Sequence, residues 1–194
     1  MQIRNYWVNI ENSSGARIGK GPLRVSQFST TDKLSACGEF SFVVSASDPN
    51  LSVLAEKRIA ICQYVDIDGQ LQDFGGGVID KIERVIGEDG RLEIRVSGNN
   101  LARELMYRSV GALDLSGAGA GVADAPDQIM ALAPAGWTIN DGTTAINVYQ
   151  GYNGESVLNA LSTVAEYIGE HWRLGAGRVI DWLGPASTFL PSGV

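Results

Sequence analysis

Histidine is nearly missing from this sequence of 194 residues: His171 is the single one, and only two cysteines, Cys37 and Cys62, accompany it. One imidazole excludes a multi-histidine metal centre, and two cysteines without CxxC spacing and far from His171 in sequence build no zinc site. No Gly-x-Ser-x-Gly elbow occurs, so a Ser-His-Asp triad would rest on His171 without local support. The triplet Gly75-Gly76-Gly77 lacks a Gly-Lys-Ser/Thr ending and runs into strand-like residues, which argues against a phosphate cradle. No stretch approaches the roughly 18 apolar residues that span a bilayer, and Met1-Gln2-Ile3-Arg4-Asn5-Tyr6-Trp7 lacks the apolar run of a signal peptide. Synthesis in the cytosol and no membrane partner are therefore expected. Basic charge is scarce too: 15 Lys and Arg face 22 Asp and Glu, a formal charge of -7. With a pI near 4.7, the surface as a whole is not one that holds nucleic acid.

What is present is turn chemistry. Twenty-four glycines against six prolines separate segments with strand periodicity. Val8-Asn9-Ile10 and Leu23 to Phe28 alternate apolar and polar residues around Asn12-Ser13-Ser14-Gly15, the pattern of a hairpin. After a break at Thr30-Thr31-Asp32, Gly38 to Val44 puts Phe40, Phe42 and Val44 on one face, which is predicted to be core. Asp48 and Pro49 suit the N-cap and first position of a short helix over 50–56, with Leu51 and Leu54 plugging one end of a barrel. Ile59 to Val65 is the next strand, and Asp68-Gly69 makes a tight turn. Leu71 to Phe74 begins the return, the glycine triplet is expected to bend it sharply, and Val78 to Ile86 continues. Beyond the turn at Gly87 to Gly90, Leu92, Ile94 and Val96 are expected to face inward and charged residues outward. Gly98-Asn99-Asn100 would cap a helix over 101–106 with Leu101 and Leu105 on its packed face.

Residues 111–126 are mostly Gly, Ala, Ser and Asp and read as a flexible loop that orders only in an assembly. Beyond them, Asp127 to Leu132 is a short helix, and Trp137 to Ile139 and Ala145 to Tyr149 are strands. Gly151-Tyr152-Asn153-Gly154 is a turn. The strongest helix spans 155–169, with Val157, Leu158, Leu161, Val164, Ala165 and Ile168 at helical spacing and Gly169 as its cap. His171 to Leu174 and Val179 to Leu183 form a last hairpin. The fold class expected is mainly β: an antiparallel β-barrel over 1–110, the loop 111–126, and a small α+β domain over 127–194 whose helix packs on strands.

The remaining candidates for chemistry have simpler readings. Asp66 and Asp68 are spaced as in a calcium loop, but the rest of that pattern is missing and a hairpin turn accounts for them. Asp80, Glu83 and Glu93 offer carboxylates for glycoside hydrolysis, yet Lys81, Arg84, Arg91 and Arg95 interleave with them as on a solvated, charge-paired face. Trp7, Trp137, Trp172 and Trp182 are scattered and suit core packing, with Trp7 the most open to a sugar-stacking role. Cys37 and Cys62 flank neighbouring strands, so a disulfide is geometrically open, although two buried free thiols are the expected state. No catalytic, metal or cofactor site is assigned.

The order of features carries a resemblance. Gly38-Glu39-Phe40-Ser41-Phe42-Val43-Val44, Asp48-Pro49 with its helix, Arg58-Ile59-Ala60-Ile61, Gly77-Val78-Ile79, and Val96-Ser97-Gly98-Asn99-Asn100-Leu101 followed by Leu105 through Arg108 are similar to the first domain of phage tail hub proteins. The helix leading to Gly169-Glu170-His171-Trp172-Arg173-Leu174 and its hairpin resembles their second domain. The resemblance implies a non-enzymatic virion component, a homotrimer of tube-like β-barrels between a distal tail or tube protein above and a tip protein below. A tape measure protein is a further implied partner, and DNA passes only in transit through an acidic lumen that does not hold phosphate. Such hubs usually continue beyond 194 residues, so a shortened member and a fragment are both open, and related contractile injection machines share the same features. Two rival readings stand beside this one: a carbohydrate-binding tail-tip adhesin using Trp7 or Trp137, and a tail-associated peptidoglycan-degrading enzyme using Glu83 or His171.

Overall fold

Alternation of apolar and polar residues becomes strand wherever glycine-containing turns let the chain reverse. The computed structural model describes residues 6–87, 89–115, 125–140, 148 and 150–184, and among these places eleven strands and two α-helices. They divide into two compact units, one of residues up to Asp32 with Cys37–Arg103, the other of Lys33–Ala36 with the residues from Glu104 onward.

The first unit contains β1 (Tyr6–Glu11), β2 (Leu23–Lys33), β3 (Ala36–Ser45), β4 (Ile59–Val65), β5 (Leu71–Ile86) and β6 (Leu92–Asn100). They form a closed barrel in the order β1-β2-β3-β6-β5-β4, with β1 joining β4 over its whole length and β2 through the short register Trp7↔Arg24 and Val8↔Leu23. The inward positions are those that the alternation predicts: Phe40, Phe42 and Val44 are buried, as are Val8, Ile10, Leu23, Ile79 and Val96. Each such side chain contributes about 1.5–3 kcal/mol relative to exposure, which is what closes a small barrel.

Several boundaries differ from expectation. Thr30-Thr31-Asp32 does not interrupt the sheet: β2 runs through it to Lys33 and turns tightly into β3 with Ser35 at a left-handed φ of 51°. The segment after Asp48 is a single 3-10 turn, Leu51–Val53, capped at Asn50 without a side-chain bond. Asp48 instead accepts from the Asn50 and Arg24 amides at 2.8 and 3.0 Å, tying the turn to β2. Val53 is the buried residue of the turn, and Leu51 and Leu54 pack beside it, half-buried, as the plug. The glycine triplet does not stop its strand, since β5 is continuous over 16 residues. A register irregularity beside Gly75 absorbs the local twist, and Gly76 and Gly77 lie where a Cβ would overlap the carbonyl oxygens of Ala60 and Asn99. Leu92 is not inward; it sits half-exposed at the start of β6, opposite Ile86. β6 extends through Asn100, and Leu101–Tyr107 is a 3-10 helix with Leu101 and Leu105 buried.

In the second unit, β7 (Ala112–Asp114) pairs with β9 (Gly151–Asn153), and α1 (Ala125–Met130) packs on α2 (Val157–Ile168). Residues 112–114 are therefore strand rather than flexible loop, Leu115 is buried, and Gly151-Tyr152-Asn153 is a strand with Tyr152 buried rather than a turn. The rest of the expected loop, 116–124, and nearly all of the strand expected at 145–149 lie outside the described residues. Helix α2 is capped by Ser156, whose hydroxyl accepts from the Asn159 amide at 3.2 Å, and by Gly169 at φ 72°. The final hairpin, β10 (His171–Leu174) and β11 (Val179–Leu183), joins the parallel β8 (Thr138–Asn140) in a three-stranded sheet, with Trp172 and Trp182 buried. No helix among the described residues is long and apolar enough to cross a membrane.

Candidate interaction surface

The fold separates His171 from the carboxylates weighed for chemistry, while Glu83 and Glu93 lie diagonally across the paired strands β5 and β6. His171 is exposed on β10. Glu83 forms an exposed ion pair with Lys81 at 2.8 Å and lies opposite Arg95 in register, while Glu93 lies opposite Val85. Asp80 instead borders a groove of about 430 Å³ on the barrel, paved by Ser29, Thr31, Ser41 and Ser97, to which Glu83 and Glu93 do not contribute. No group of three or more His, Cys, Asp or Glu placed for a metal ion occurs among the described residues. Cys37 and Cys62 are both free thiols; Cys62 is buried and Cys37 only half-buried.

The tryptophans pack. Trp172 and Trp182 are core, and the Trp182 indole donates to the buried Glu170 carboxylate at 2.6 Å. Trp137 is buried and donates to Glu104 at 3.0 Å. The same carboxylate receives Arg178 through two bonds of 2.7 and 2.9 Å, so one acid locks the 3-10 helix, the Trp137 turn and the last hairpin together. Sequence reasoning missed Glu104 and Glu170, because nothing in local spacing marks an acid whose partners lie 33 and 74 residues away, as for Glu104, or 12 residues away across the last hairpin, as for Glu170. Trp7 is half-buried on β1.

What the barrel does present is one hairpin with apolar side chains in water. Asp66 organises the β4–β5 turn: its carboxylate accepts from the Gln70 amide at 2.8 Å, the Gln72 side chain at 3.0 Å and the Asp68 amide at 3.0 Å. The Gln70 bond first, with the Gln72 and Asp68 bonds, holds this carboxyl below its usual range and keeps it charged. Around that turn Ile67 is 82% exposed, and Val65, opposed to Leu71 across the hairpin, is exposed as Leu71 is. Phe74 is 44% exposed and sets its ring edge to Tyr64 and to Phe28 at centroid distances of 6.2 and 5.7 Å. Phe28 belongs to β2, a strand not paired with β5, and stacks in turn on Phe40 and Phe42, so the aromatic core runs out to the surface at this hairpin. The signal for these residues was available in the sequence. Isoleucine stands inside an Asp-Gly turn that ordinarily takes polar side chains, and residues 59–80 contain no lysine or arginine.

No protein-family model matches the sequence, and no curated protein matches it. Solved structures do. A tail protein from Neisseria meningitidis MC58 superposes with a TM-score of 0.58 at 21% identity, covering 91% of this chain and 50% of its own. The 43 kDa tail protein of prophage MuSo2 from Shewanella oneidensis superposes with a TM-score of 0.61 at 15% identity, covering 91% of this chain and 54% of its own. The chain thus spans about half the length of these proteins. At such identity the likeness is one of fold, and the barrel with its α+β companion is a fold of phage tail proteins, as the order of motifs led one to expect.

Proposed function

We propose that this chain is a structural component of a phage-type tail, the hub that closes or extends the tail tube and links it to the tip, and that it works without catalysis. The observation that carries this reading is the match of 91% of the chain, both units included, to two solved tail proteins. In this reading copies of the chain associate as a trimer between a distal tail or tube protein and a tip protein. The tape measure protein is a neighbour, and DNA passes through a lumen whose acidic walls do not retain it. Exposed hairpins and strand edges supply the contacts, because unpaired backbone and apolar side chains are what a neighbour completes. A contractile injection machine would use the same part in the same place.

Neither rival reading gains a specific observation. Trp137 has its ring buried and its indole bonded to Glu104, and Glu83 is engaged by Lys81. A cryo-electron microscopy map of the particles that contain this protein, focused on the tail end, tests the proposal. Density for the chain in a threefold ring continuous with the tube is the expected result; a peripheral knob, or a particle without the chain, overturns it.

A further inference from the structure

We draw no further inference here: the strongest candidate, the exposed apolar patch that Val65, Ile67, Leu71 and Phe74 form at the tip of the β4–β5 hairpin, carries nothing because nothing in the structure shows what covers it.

Discussion

Gly77 has no room for a side chain, because a Cβ there would overlap the backbone carbonyl of Asn99, and Gly98 is confined in the same way by Val78. Neither conflict is relieved by turning a flexible side chain, since the obstacle is the neighbouring strand itself. Gly77→Ala is therefore expected to separate β5 from β6 and cost about 3 kcal/mol or more, whereas Gly69→Ala, at a turn with open space around it, is limited to the ~1 kcal/mol cost of a left-handed φ. Urea unfolding of the two variants checks the order. A second expectation at this scale concerns alkali. Burial first, and the Asp73 carboxylate second, push the Cys62 thiol from 9.0 up to about 12; burial, with Glu155, pushes Tyr152 from 10.0 to about 12. Both groups stay neutral in the fold after they would ionise in the unfolded chain. The stability this difference protects is complete below pH 9 and is lost as the pH rises from 9 to 12. Unfolding midpoints measured at increasing pH should fall across that window, and Cys62→Ala should make the fall shallower.

Elements whose signal is local were legible in the sequence. Helix α2 carries its apolar stripe, its Ser156 cap and its Gly169 stop within 14 residues, and the face of β3 follows from the alternation of Phe40, Phe42 and Val44. Elements completed by distant chain were not. The β9 strand exists because Gly151–Asn153 finds Ala112–Asp114, and three residues flanked by glycine read as a turn until that partner is seen. Leu92 continues a perfect alternation but sits at the strand end, where the pleat has left the core. The 3-10 helix at Leu101–Tyr107 is held by the buried Leu101, Ala102 and Leu105 and by Glu104, whose carboxylate joins Trp137 and Arg178. Glu104→Ala removes all three bonds and leaves a largely buried guanidinium without its carboxylate, an expected loss of about 2–3 kcal/mol. Glu104→Gln, which keeps an acceptor for the indole, should cost roughly half of that. Thermal unfolding of the two variants beside the parent chain measures the difference.

For the whole molecule, the net charge of -7 sets the response to nucleic acid. A gel-shift experiment with duplex DNA at about 0.1 M salt should show no retained complex, because the phosphate term that drives nonspecific binding is repulsive here. Tight binding under those conditions would require a local basic patch strong enough to outweigh the net charge. The division into two units has a consequence in time. Ser35, at the tip of the β2–β3 turn, belongs to the second unit: its amide donates to the Trp172 carbonyl at 2.8 Å, and its carbonyl receives the Ser162 hydroxyl at 3.0 Å. All six barrel strands have left the ribosome by Asn100, so the barrel is free to close while the partners of Ser35 are still unsynthesised. The tip of that early hairpin then waits through more than 60 further residues of translation before Trp172 emerges. The β2–β3 turn is thus a latch that is made early and engaged only by residues translated well after the barrel.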